Sequence, residues 1–323
     1  MVGQNADSLF TNAFCATDTI WGLEVKDSYR WLESLNSDST KTWLKKQQKL
    51  TRDERMKCFG KFTDAYQRIQ KGSGAEYPQL TNDSKYLFYN RWVSEYVPPA
   101  LYYKEGIDAP LMEAYNPNHD RYSANPVSIN QFILSPDNRY LALMLSVAGS
   151  DWQTIRIRDL KKSKDLPETI EWVKFSSVEW TDSGFFYARF KEPPTGQIHT
   201  AANTNHQLYF HKLGEPVKQD RLIYTAVNRP NSLLRFELAG NRRYLIIYSM
   251  AKLGSAWCNT VTYKDLKDGM FSELKMFIAS PVKKDFEFEV VSLANEAFAV
   301  RTNLDAPHYR TLLYNKDSLN RAQ

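Results

Sequence analysis

The spacing of hydrophobic positions changes once along the chain. Over the first ~75 residues apolar side chains recur every three or four positions, the repeat of one helical face. Trp43, Leu44, Gln47 and Leu50 share such a face. Ser37, Asp38 and Ser39, just ahead, offer the side-chain oxygens that cap a helix over residues 40 to about 56. Gly60 interrupts the pattern, a second helical stretch places Phe62, Tyr66 and Ile69 on one side, and Gly72-Ser73-Gly74 reads as a flexible junction. After Tyr77 the period becomes two, the alternation of a β-strand. The pattern therefore predicts a helical segment, residues 1–75, and a β region, residues 76–323.

The β region repeats. Five stretches, residues 80–89, 134–143, 180–189, 238–247 and 293–302, each end one strand, turn through polar residues and start an aromatic or apolar strand. Asn, Asp, Ser and Gly fill the turns because they tolerate the left-handed backbone of tight hairpins. The anchors Thr81, Ser135, Thr181, Ala239 and Ala294 recur at roughly 50-residue intervals, the length of a four-stranded propeller blade. A further strand follows each hairpin, at 100–104, 153–158, 207–211, 259–263 and 309–314, with an insertion at 191–205 lengthening the third unit. An unrelated string of hairpins in a sandwich is the alternative; five matched turns at a blade-sized period favour the propeller.

Composition agrees. The chain has 19 Tyr, 17 Phe and 8 Trp, 14% aromatic in all, and aromatics suit pleated, half-buried surfaces. Lys and Arg total 42 against 37 Asp and Glu, a net charge of +5 spread along the chain. The densest basic run, Lys161-Lys162-Ser163-Lys164, falls where a loop is expected and is too small a footprint for nucleic acid. Cys15, Cys58 and Cys258 are distant and odd in number, so neither a disulfide framework nor a zinc site is indicated, and reduced buried thiols are expected. No signal-peptide pattern opens the chain, and no stretch approaches the ~20 apolar residues of a membrane helix. The expectation is a cytoplasmic protein without membrane, nucleic-acid or cofactor partners; a periplasmic one remains open if a targeting segment precedes these residues.

Several kinds of chemistry have no residues to carry them. No serine sits in a Gly-x-Ser-x-Gly elbow: Gly149-Ser150-Asp151-Trp152 and Gly254-Ser255-Ala256-Trp257 both lack the second glycine and read as turns. Of the five histidines, His119, His199, His206, His211 and His308, the pair 206/211 falls on opposite strand faces and reads as surface or edge residues. Acidic residues do not cluster, a five-bladed glycosidase would need paired carboxylates at the inner strands, and Asp137 and Asp182 sit in turns, which disfavours that enzyme.

Several ordered segments resemble the prolyl oligopeptidase family. Asp27-Ser28-Tyr29-Arg30-Trp31-Leu32-Glu33 is similar to that family's D-P-Y-R-W-L-E, with Ser28 in place of proline, and Trp21-Gly22 precedes it at the spacing of a Tyr/His-Gly pair. Gln47-Gln48-Lys49-Leu50-Thr51 is similar to Q-N-x-x-T. Gly149-Ser150-Asp151-Trp152 matches G-S-D-W, and Val173-Lys174-Phe175-Ser176 with Trp180-Thr181 matches V-K-F-S…W-T. Asn205-His206-Gln207-Leu208-Tyr209 and Asn303-Leu304-Asp305-Ala306-Pro307 also fit, so the resemblance runs from about Thr19 to Tyr314.

The resemblance implies a seven-bladed propeller that gates an α/β-hydrolase domain carrying a Ser-Asp-His triad. This chain then supplies the N-terminal segment, which in the family packs on the hydrolase, and about five four-stranded blades: mainly β, an incomplete propeller. It contains no counterpart of the triad, so a truncated, inactive portion of a serine endopeptidase cleaving short peptides after proline is expected. A complementary C-terminal hydrolase polypeptide and self-association through open blade faces are the expected partners. The resemblance maps Phe175, and more loosely Leu233, onto the wall of the substrate pocket; the alternative for Phe175 is a core aromatic in a strand over residues 173–178. A freestanding interaction propeller and a five-bladed carbohydrate-active enzyme are the rival readings.

Overall fold

The computed structural model describes residues 16–59, 79–80, 84–92, 97–119, 125–198, 200–226, 229–253, 256–278, 286–293 and 297–315. The second helical stretch (Phe62, Tyr66, Ile69), the Gly60 break, the Gly72-Ser73-Gly74 junction, the turn residues Asn82, Asp83, Asn295 and Glu296, Cys15, His199 and Gly254-Ser255 lie outside them, as does the side chain of Cys58. The chain divides into two compact units, residues 1–75 and 76–323.

In the first unit β1 (Ala16–Ile20) and β2 (Leu23–Asp27) pair antiparallel. Trp21 and Gly22 turn between them at φ 57° and 81°, the positive values a two-residue hairpin between right-twisted strands demands. Asp27 ties the hairpin to the chain that follows. Its Oδ1 accepts from Tyr29 N–H at 2.8 Å and its Oδ2 from Arg30 Nε at 3.1 Å, while Arg30 also pairs with Asp18 of β1. These contacts hold the Asp27 carboxyl below its ordinary pKa, the backbone bond from Tyr29 most of all. Ser37 Oγ accepts from Thr40 N–H at 3.2 Å and opens α1 (Asp38–Phe59), on which Trp43 meets Trp31 edge to face at 6.2 Å.

The second unit is a stack of five blades. β3 (Gln79–Leu80), β4 (Tyr86–Arg91), β5 (Ala100–Glu105) and β6 (Met112–Tyr115) form the first. β7 (Val127–Leu134), β8 (Tyr140–Val147), β9 (Gln153–Asp159) and the first half of β10 (Lys164–Trp180) form the second. The second half of β10, with β11 (Gly184–Arg189), β12 (Gln207–Lys212) and β13 (Arg221–Thr225), forms the third. The fourth is β14 (Leu233–Ala239), β15 (Tyr244–Leu253), β16 (Ala256–Asp265) and β17 (Lys275–Ile278). β18 (Phe288–Ser292), β19 (Ala297–Thr302) and β20 (Arg310–Asn315) are the described strands of the fifth.

Alternation along the middle strands builds the core. Leu141, Leu143 and Leu145 of β8 pack with Phe88, Leu101 and Tyr103 of the first blade, while Ala142 and Met144 of the same strand pack with Phe185 and Tyr187 of the third. Phe186 and Ala188 of β11 turn the other way, onto Leu245 and Ile247 of β15. Tyr244, Ile246 and Tyr248 then meet Phe298 and Val300 of the fifth blade. β8, β11 and β15 are buried on both faces, which is why these strands read as continuous apolar runs. Among the described residues, none of these four clusters joins the fifth blade to the first.

Two expectations need correction. His206 and His211 are not surface histidines: both are buried, His211 because β12 lies between β11 and β13, and His206, just ahead of β12, because it packs between Phe190 and the start of β14. His211 Nδ1 lies 2.7 Å from Asp220 Oδ1, and Asp220 Oδ2 accepts from Tyr187 Oη at 2.6 Å. Residues 173–178 are not an ordinary strand either. Val173 pairs with Gln153 of β9 and Arg189 of β11, pairing with β11 resumes only at Val178, and the ladder lapses between. Cys258 is a free, buried thiol, and no described helix is long and apolar enough to cross a membrane.

Candidate functional site

The lapse in β10 shapes the site. Trp172 and Phe175 take left-handed φ, 62° and 54°, so the strand kinks as it passes from the second blade to the third. Ser176 repairs the ladder there: its Oγ accepts from Ala188 N–H at 2.8 Å and donates to Ser177 O at 2.8 Å. The kink turns Phe175 out of the core and leaves it 53% exposed.

Phe175 lines a cleft of about 660 Å³, together with Leu233 and Met250 of the fourth blade and Asn130, Ser146 and Gln153 of the second. The two pocket residues expected from sequence thus come together in one cleft, and Phe175 is no core aromatic. The wall between them is fixed from behind by His206, whose Nδ1 accepts from Leu234 N–H at 3.0 Å and whose ring stacks on Phe190 at 4.3 Å. Burial pushes the His206 pKa down to about 4, an effect partly offset by the Lys174 backbone, so the ring is the neutral acceptor this bond needs.

The Gly149-Ser150-Asp151-Trp152 turn forms the rim. Ala148 and Gly149 carry φ of 53° and 72°, Ser146 Oγ donates to Ser150 O at 2.6 Å, and Trp152 N–H donates to Ser150 Oγ at 3.1 Å. Ser150 is therefore bound up in turn geometry. Lys174 crosses to this turn: its Nζ lies 3.3 Å from Asp151 Oδ2 and within 5.3 Å of the Trp152 and Phe175 ring centres. A second cleft, about 760 Å³, adjoins the same turn and counts Trp152 and Trp172 among its lining residues. Sequence reading missed Lys174, Trp152, Arg235 and Met250 as cleft residues. Lys174 and Trp152 stand inside motifs it quoted, whereas Arg235 and Met250 carried no signal.

A second feature also escaped it. Glu179 of β10 and Glu237 of β14 come close enough on adjacent inner strands to repel. Leu238 N–H donates to Glu179 Oε2 at 3.3 Å, and Tyr248 Oη to Glu237 Oε1 at 2.6 Å. Burial, with the Glu237 charge adding to it, pushes the Glu179 pKa up to about 7. Among the described residues no group of His, Cys, Asp and Glu could hold a metal ion.

Comparison with known proteins supplies the relationship. The family model for the prolyl oligopeptidase N-terminal beta-propeller domain matches residues 12–322. A prolyl endopeptidase of Elizabethkingia meningoseptica is 28% identical over 298 residues, 91% of this chain and 40% of that protein. Prolyl oligopeptidase A of Galerina marginata is 26% identical over 322 residues, 90% of this chain and 42% of the relative. Among solved structures, one from a study of two prolyl endopeptidases superposes with a TM-score of 0.74 at 21% identity, covering 94% of this chain and 44% of that one. Prolyl oligopeptidase B of Galerina marginata, bound to a 35mer hydrolysis and macrocyclization substrate, superposes at 0.70 and 19% identity, over 94% of this chain and 45% of its own. The chain thus spans less than half the length of the relatives it matches. Matched by the domain model along nearly all its length, and built of blades that superpose on theirs, this chain belongs to the prolyl oligopeptidase family and carries that family's N-terminal β-propeller domain.

Proposed function

We propose that the chain is the N-terminal segment and gating-propeller part of a serine endopeptidase that cleaves short peptides after proline, and that its cleft forms one wall of the peptide site. The observation that carries this is Phe175, turned out by a left-handed kink and sharing a cleft with Leu233. Residues that contact peptide must be presented to solvent, as this phenylalanine is. The hydrolytic step belongs to a Ser-Asp-His apparatus, for which residues 1–323 offer no Gly-x-Ser-x-Gly elbow. A C-terminal hydrolase polypeptide is the partner this reading calls for, and without it the open blade faces are available for self-association.

The test uses the purified 323-residue chain. It should neither release a fluorophore from a peptide amide cleaved after proline nor react with a fluorophosphonate probe. Stoichiometric labelling of any serine would overturn the reading.

A further inference from the structure

Two cations line the cleft, and each is only loosely engaged. Lys174, its side chain 12% exposed, has its ammonium 3.3 Å from Asp151, whose own side chain is 78% exposed on the rim turn. Arg235, on the fourth blade, lies 3.6 Å from Glu289, 52% exposed, with its guanidinium 4.1 Å from the centre of the Tyr248 ring. Both carboxylates stand in water, where an ion pair at such distances contributes little and exchanges readily. Among the described residues lining the cleft, Asp151 is the one acid, against these two cations. Phe175, Leu233 and Met250 give the cleft an apolar patch, beside the uncharged polar side chains of Asn130, Ser146 and Gln153. A peptide whose apolar part lies on those side chains while an anionic group replaces Asp151 or Glu289 would satisfy both halves of the surface.

We propose that this cleft selects peptides bearing a carboxylate, which Lys174 and Arg235 hold. The inference rests on the cleft being a peptide site, and it adds a charge preference to that reading. An acidic side chain and a free C-terminus present the same group, so the test separates them.

The full chain is titrated with acetyl-Gln-Ala-Pro-Ala-amide, its Glu and Lys analogues at the first position, and the Gln peptide with a free C-terminal carboxylate. Calorimetry or tryptophan emission reads the dissociation constant. At least one carboxylate peptide should bind about 3- to 5-fold more tightly than the neutral one, the range an exposed ion pair supplies, and the Lys analogue more weakly. Salt should narrow the gap. Lys174→Met and Arg235→Met, which keep apolar stems, should each reduce the preference and together abolish it. Asp151→Asn, which removes only an exposed competitor, should widen it and serves if the other variants do not fold. Equal affinity for all four peptides, or a preference that survives both methionine substitutions, overturns the inference while leaving a peptide site intact. Failure of every peptide to bind overturns the peptide site and this inference with it.

Discussion

A buried carboxyl that keeps its proton records the company its strand keeps. Glu179 titrates near pH 7 because burial strips water from its charge and Glu237 stands on the next inner strand. In the unfolded chain the same group ionises near its ordinary 4.5. Between those values the folded chain holds a proton that the unfolded chain has released, so stability falls as pH rises through the window and levels off above about 7. Glu179→Gln keeps an acceptor for Leu238 N–H and removes the charge. It should leave stability unchanged near pH 4 and raise it by about 1–3 kcal/mol at pH 8. Urea denaturation at the two pH values checks this, and an equal effect at both would show that charge is not the cause.

At the scale of elements, close approach of strands is as binding as charge. Gly184 opens β11 opposite Lys212 of β12, and a Cβ there would lie 2.0 Å from the His211 carbonyl oxygen. Gly184→Ala must force the two strands apart, and we expect a loss of about 3 kcal/mol, the upper end of overpacking costs, seen as a lower urea midpoint with native-like circular dichroism. A variant as stable as the parent would mean the β11–β12 spacing adjusts freely. The hairpins on either side were readable in sequence, because Asp182-Ser183-Gly184 and its counterparts punctuate strands whose both faces are apolar. What was not readable came from pairing over long separations. Nothing local in residues 173–178 announces that the strand leaves one blade for the next, since the left-handed residues are Trp172 and Phe175 rather than glycines. Likewise His206 and His211 have polar side chains, and only the packing of neighbouring blades buries them. Phe175 and Leu233 came from family resemblance; Arg235 and Met250 needed the fold.

Over the whole of the second unit, each blade is stabilised through its neighbours, as in other repeat architectures. The face of the fifth blade turned away from the fourth has no such neighbour among the described residues. Val291, Ala299 and Leu313 lie side by side across it, and Leu313 is 76% exposed. Apolar rows of this kind invite pairing between molecules. We expect the 323-residue chain to self-associate over a micromolar concentration series in light scattering, and Val291→Lys with Leu313→Lys to reverse it. A clean monomer at every concentration would count against the open-face reading. One further consequence follows from β10 belonging to two blades. The second and third blades share a strand and cannot part without tearing it, whereas β13 and β14, on the third and fourth, are separate strands. The cleft is therefore a vice with one fixed jaw: Phe175 is bolted to the frame, and any change in its bite must come from the Leu233 side.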